Sequence, residues 1–276
     1  MAEKSVIINP EYENILNKIT KEKESLTEAI MTYDDLVYHE CRVLEMEYML
    51  KFGVYENKKY EIYIKTLRIK RKIELLQASI NKQEPLDIDA AEKRLDIEFE
   101  EYQKKIQENF NKMNDALKLK KDARLLTEEE SKEMHDIYKK LAMKLHPDMN
   151  TRTTENEKEL FLRTIDAYRN GDLEALKTIE VLARDEKEEM LDLPNSMELL
   201  KETLKNLEYK TQSIYDKIIK VKGSFPYNKR ELLADPEACA IQIKEHEASL
   251  EQYKQEYEAY ERKLDTMVVG TNERYS

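Results

Sequence analysis

Four glycines and six prolines in 276 residues leave this chain very few places to turn. At an average usage of about 7% glycine, a chain this long would carry roughly 19. A β-sandwich, barrel or doubly wound sheet needs many more turn residues. Charged side chains make up 38% of the chain and hydrophobic ones 40%, against about 25% and 45–50% in an average globular domain. The sequence therefore predicts an all-α protein of long helices, divided into two or more modules by length.

Apolar periodicity locates those helices. Tyr12, Leu16, Ile19, Leu26, Ile30, Tyr33, Val37, Cys41, Leu44 and Tyr48 follow one another in steps of mostly four and three, the seam of a coiled coil. Asn9-Pro10-Glu11 reads as its N-cap and first turn, and Phe52-Gly53-Val54 as its break. A second helix spans 55–81, with Ile62, Ile69, Ile73, Leu76 and Ile80 on its seam and Arg68, Lys70, Arg71 and Lys72 outside. A third begins at Ile88, after a short break at 83–87, and runs through Leu95, Phe99, Ile106 and Phe110 to Leu117. Short links make sequential helices antiparallel neighbours, so residues 1–125 read as an N-terminal antiparallel helical stalk.

The same reasoning applies to 187–276. Leu200, Leu204, Leu207, Thr211, Ile214, Ile218 and Val221 form one seam. Gly223-Ser-Phe-Pro226 stops it, and Asp235-Pro236-Glu237 restarts a helix with the heptad Ile243, Leu250, Tyr257, Leu264. These two helices are expected to form a C-terminal antiparallel hairpin, followed by a frayed tail from Val268.

Residues 126–186 have a different texture, with short helices that each carry a start signal. Thr127-Glu-Glu-Glu130 and Thr154-Glu-Asn-Glu157 fit capping boxes, and Gly171-Asp172 combines a helix stop with the next N-cap. Met134, Ile137, Tyr138, Leu141 and Leu145 share one helical face, with Lys140 and Lys144 on a flank and Lys139 facing outward. Pro147 cannot continue this helix. Phe161, Ile165 and Tyr168 supply a second apolar face that must pack back on the first. Two antiparallel helices would thus present His146-Pro147-Asp148 at their shared tip, with lysines beside it.

Tyr138-Lys-Lys-Leu-Ala-Met-Lys-Leu-His-Pro-Asp148, with Phe161, Ala167 and Tyr168 in the next helix, resembles a J domain, the signature module of DnaJ-type co-chaperones. The resemblance covers about sixty residues; a looser one, through Arg68-Ile-Lys-Arg71 and Asn170-Gly-Asp-Leu173, points to bacterial single-J-domain proteins with helical arms. It implies a co-chaperone that recruits a DnaK-type (heat shock protein 70) chaperone and stimulates its ATP hydrolysis. Lys139, Lys140 and Lys144 would meet an acidic surface of that partner, and His146, Pro147 and Asp148 would form the activating loop. The coiled-coil arms would select a client protein or site of action. The family's usual first-helix motif is missing before Thr127, where the end of the third stalk helix is the expected substitute, and Met149 replaces the common Lys after the tripeptide. Gly/Phe-rich and zinc segments are absent. The alternative is a coiled-coil structural adaptor whose J-like unit no longer activates a chaperone. The oligomeric state stays open, since open seams can pair between chains.

Other functions are disfavoured. Lys and Arg number 47 against 58 Asp and Glu, a net charge of −11, which argues against nucleic-acid and anionic-membrane partners. Cys41 and Cys239 cannot build a zinc or disulfide framework, and His39-Glu40-Cys41 lacks further ligands. With no phosphate loop or nucleophilic triad, and no pocket implied by a His146–Asp148 pair, neither catalysis nor a cofactor is expected. The first nine residues lack the apolar core of a signal peptide and no stretch is apolar enough to span a bilayer, so a cytoplasmic setting is expected.

Overall fold

Helix formation follows the periodicity closely, but one expected break is absent. In the computed structural model, which describes residues 10–84, 87–122, 126–149, 154–184 and 197–275, Phe52 and Gly53 belong to a π-helical segment (Met49–Gly53). It lies between α2 (Cys41–Tyr48) and α3 (Val54–Asn81). A second π-helical segment, Leu36–Glu40, joins α1 (Pro10–Asp35) to α2. A lone glycine costs a helix only about 1 kcal/mol, and Phe52 is completely buried, so side-chain packing keeps this stretch helical. Asn9, the expected N-cap, lies outside the described residues.

The remaining helices are α4 (Ile88–Glu98), α5 (Glu100–Asp122), α6 (Glu128–Leu145), α7 (Glu155–Asn170), α8 (Leu173–Arg184), α9 (Met197–Lys222), α10 (Arg230–Ala234) and α11 (Pro236–Tyr275). No strand occurs among the described residues, so the protein is all-α. None of its described helices is long and apolar enough to cross a membrane.

The chain divides into two units that do not follow the expected 1–125, 126–186 and 187–276 boundaries. One unit holds Met1–Arg42 with Arg124–Asn228, the other Val43–Ala123 with Lys229–Ser276. In the first unit α1 pairs with α9. Ile15, Ile19, Leu26 and Ile30 share a core with Leu200, Leu207, Ile214 and Ile218. Lys201, at the start of α9, donates to Glu11, at the start of α1 (2.9 Å), while the ends of both helices line one groove. The pair is therefore parallel. The helices α6, α7 and α8 pack on one another around Tyr138, Leu141, Tyr168 and Leu176, and Met31 of α1 joins that core.

The second unit is built on α3. Its partner α11 also runs parallel: Tyr55 faces Glu247, Lys59 faces His246, and Lys70 pairs with Glu256. On another side α4 and α5 run antiparallel to α3, as the short link suggested. Arg68 bridges Glu92 and Asp96, Arg71 meets Glu98, and Lys72 meets Glu92. Leu95, Phe99 and Ile64 form the apolar contact behind these ion pairs. Arg68, Lys70, Arg71 and Lys72, expected on an outer face, are thus engaged inside the unit.

The expected hairpins between sequential helices at 52–54 and 223–235 are therefore corrected. Residues 49–53 stay helical and cannot reverse the chain, and α9 and α11 find partners in α1 and α3 respectively. A heptad seam shows that a helix has a partner stripe, but neither which partner nor which direction. The tail also differs: α11 continues to Tyr275 instead of fraying from Val268.

Candidate functional site

Local chemistry sets the frame of the site. Thr127 accepts the Glu130 N–H while Glu130 reaches back to the Thr127 N–H, and Thr154 and Glu157 do the same at α7. Each box satisfies two helix-end donors that would otherwise lack partners. Gly171 closes α7 in the left-handed conformation (φ 69°), which glycine adopts without strain. Asp172 then accepts the Ala175 N–H at the start of α8.

Between α6 and α7 lies His146-Pro147-Asp148. The Met149 N–H returns to the His146 carbonyl at 3.0 Å, closing a turn with Pro147 at its second position, where a fixed φ is favoured. His146 Nδ1 accepts the Asp148 N–H at 2.9 Å, so the neutral ring carries its proton on Nε2. The imidazole stands edge-on to Phe161 of α7 with centroids 4.8 Å apart. Burial holds its pKa below the ordinary histidine value; Asp148 opposes that shift, and the charges of Lys210 and Lys217 add to it. Pro147 is exposed, and no hydrogen bond engages the Asp148 carboxylate among the described residues.

Each predicted lysine has a partner within the unit. Lys139 keeps 42% of its side chain exposed and lies 4.0 Å from Glu28 of α1. Lys140 lies 3.3 Å from Glu180 of α8 and remains the most exposed of the three. Lys144 donates to the Ala183 carbonyl near the end of α8, where a cation complements the helix dipole. The six predicted residues lie on α6 and the turn that follows it, but the basic face is divided between α1 and α8.

Several contributors were not anticipated. Lys210 of α9 donates to the Asp148 carbonyl at 2.6 Å. Met149 packs against the α1–α9 core, and Thr27 Oγ1 lies 3.9 Å from its sulfur. Met149 thus seats the turn on that helix pair. Tyr138 and Tyr168 stack at 3.9 Å, and their hydroxyls donate to the adjacent acids Asp34 and Asp35 of α1. Arg42 donates to the Arg169 carbonyl at the end of α7. α1 packs on α6 through Met31 and Asp34, while the side chains at the end of α5, the expected substitute for a first helix, lie outside the described residues. Asp34 gave a faint sequence signal, since it sits four residues after Ile30 and three before Val37 on an apolar stripe. Lys210 gave none, because its contact spans 62 residues.

Buried Cys41 packs in the α1–α9 core, and no group of potential metal ligands occurs among the described residues. Comparison with protein-family models, curated proteins and solved structures finds no match to this chain.

Proposed function

We propose that the protein is a J-domain co-chaperone, which recruits a DnaK-type chaperone and stimulates its ATP hydrolysis in the cytoplasm. The observation that carries this reading is the turn His146-Pro147-Asp148 between two antiparallel helices, with Pro147 exposed, Asp148 half-buried and its carboxylate without a hydrogen bond among the described residues. His146 is the internal strut of the turn, and Pro147 and Asp148 are its contact atoms. A partner can be driven toward its hydrolysing state only by contacts that favour that state. A charge-assisted bond from Asp148 to a basic group contributes about 1.5–3 kcal/mol, enough for a roughly ten- to hundred-fold effect. Lys139, Lys140 and Lys144 add positive charge beside the turn, and the paired helices outside α6–α8 act as coiled-coil arms that select a client or site.

The adaptor reading is favoured by a different observation: Lys139 and Lys144 already have partners inside the unit. Single-turnover ATPase measurements on the cognate DnaK-type chaperone separate the two. Stimulation by the wild type that is lost in Asp148→Asn supports the co-chaperone; equal rates with and without the protein support the adaptor.

A further inference from the structure

The sequence points to α6 as the basic docking face, yet its three lysines are engaged by Glu28, Glu180 and the Ala183 carbonyl. The flank of α9 beside the turn differs. Lys210 holds the Asp148 carbonyl, and Lys217, two turns further on, falls on the same side of the helix. Lys217 and Lys220 are exposed and have no ion pair among the described residues. Beyond them α1 and the end of α9 enclose an open groove of about 500 Å³. Tyr33, Val37, Cys41 and Val221 line it with Phe225, and Lys217 and Lys220 border it. Phe225 remains 45% exposed.

We propose that this α9 flank extends the chaperone-docking surface beyond the His146-Pro147-Asp148 turn, with Lys217 and Lys220 meeting acidic side chains of the DnaK-type partner and the groove receiving an apolar side chain from the same segment. The inference rests on the co-chaperone reading and names the surface that the partner covers. Charge complementarity selects an acidic occupant. Two exposed lysines border an apolar groove in a chain whose net charge is −11, so they form a local positive field that attracts an acidic segment. The groove falls within the size range of small binding sites, and its apolar lining gives such a segment a place to bury a side chain. Lys210 is a positioning residue: it fixes the turn at the edge of this surface by holding a main-chain oxygen.

The test uses the full chain and a purified DnaK-type chaperone, with association kinetics at low and high salt, single-turnover ATPase rates and melting temperatures. Lys217→Glu with Lys220→Glu should slow association about ten-fold at low salt, with the difference closing at high salt, within the one to three decades over which one interface varies. Phe225→Ala should instead speed dissociation by about ten-fold, since an apolar anchor acts mainly on the lifetime of the complex. Melting temperatures should stay at the wild-type value for the lysine variant. If both variants associate and dissociate like wild type while Asp148→Asn abolishes stimulation, the α9 flank is overturned and the co-chaperone reading stands. If wild type neither binds nor stimulates the chaperone, both fall together.

Discussion

Tyr138 donates its phenolic hydrogen to Asp34 across 2.6 Å, joining a fully buried aromatic of α6 to a buried carboxylate of α1. Desolvation is the largest influence on the acid and pushes its pKa up to about 6; the Tyr138 bond opposes this, and the neighbouring Asp35 charge adds to it. The tyrosine hydroxyl is pushed upward in turn, by burial first and by Asp34 second. The contact therefore binds α1 to the α6–α8 core at an electrostatic cost that depends on pH.

The sign of that dependence is specific. A carboxyl group raised above its ordinary 3.8 contributes stability that is present below the unfolded value and is lost as pH rises through about 6. At 1.36 kcal/mol per pKa unit, the loss is about 3 kcal/mol. Asp34→Asn keeps an acceptor for Tyr138 without the charge, so it should gain that much on wild type between pH 4 and 6.5. Urea midpoints across this range check it; parallel curves for the two proteins would contradict the assignment.

Removing the other partner should have the opposite effect. Tyr138→Phe leaves Asp34 buried without its donor and should cost about 1–3 kcal/mol at neutral pH. Combining it with Asp34→Asn should recover part of the loss, because the unpaired charge is gone. Chemical denaturation of the two single variants and the double variant measures the coupling.

In the second unit, His246 lies buried between Phe52 and Tyr55 with Lys59 Nζ 2.8 Å from its Nδ1. Burial first, and then the Lys59 charge, hold its pKa below 6.5, against the opposing influence of Glu56 and Glu245. A depressed histidine contributes stability that is whole above the unfolded value and is lost as pH falls below it. Unfolding of this unit should therefore become easier between pH 7.5 and 5.5. The fall should be smaller in His246→Gln, and site-specific probes on α11 would follow it.

His146 and Asp148 should separate on stability. Although His146 follows the last core residue, it accepts a turn N–H and packs on Phe161, so His146→Gln should cost about 1 kcal/mol. Asp148→Asn should stay within about 0.5 kcal/mol of wild type, as surface changes usually do. Melting curves decide this, and an equal loss in both would mean that the Asp148 carboxylate supports the fold.

Parallel pairing is open to direct test. In a Cys41→Ala, Cys239→Ala background, Glu11→Cys with Lys201→Cys should be joined efficiently by a short bis-maleimide. Glu11→Cys with Lys222→Cys should not, since 1.5 Å per residue carries the second site roughly 30 Å along α9. The reverse pattern would mean that α1 and α9 run antiparallel.

The sequence by itself determined what is local. Thr127, Glu130, Thr154, Glu157, Gly171 and Asp172 set helix ends because their partners lie within a few residues, and Pro147 ended α6 because its ring forbids the next turn. The seams along α1, α3, α9 and α11 were legible for the same reason: a stripe repeats within one helix. Tertiary structure decided which stripes meet. Leu26 could have packed on any apolar face, and it lies with Leu207 and Ile214 because packing of whole helices, and not proximity in the chain, selected α9. It also decided that Lys139 and Lys144 are engaged, that Met149 anchors the turn, and that Asp34 is buried beneath Tyr138. Those contacts join residues from 39 to more than 100 positions apart, and a surface lysine or an acid on a helix has the same local pattern whether its partner is solvent or another helix.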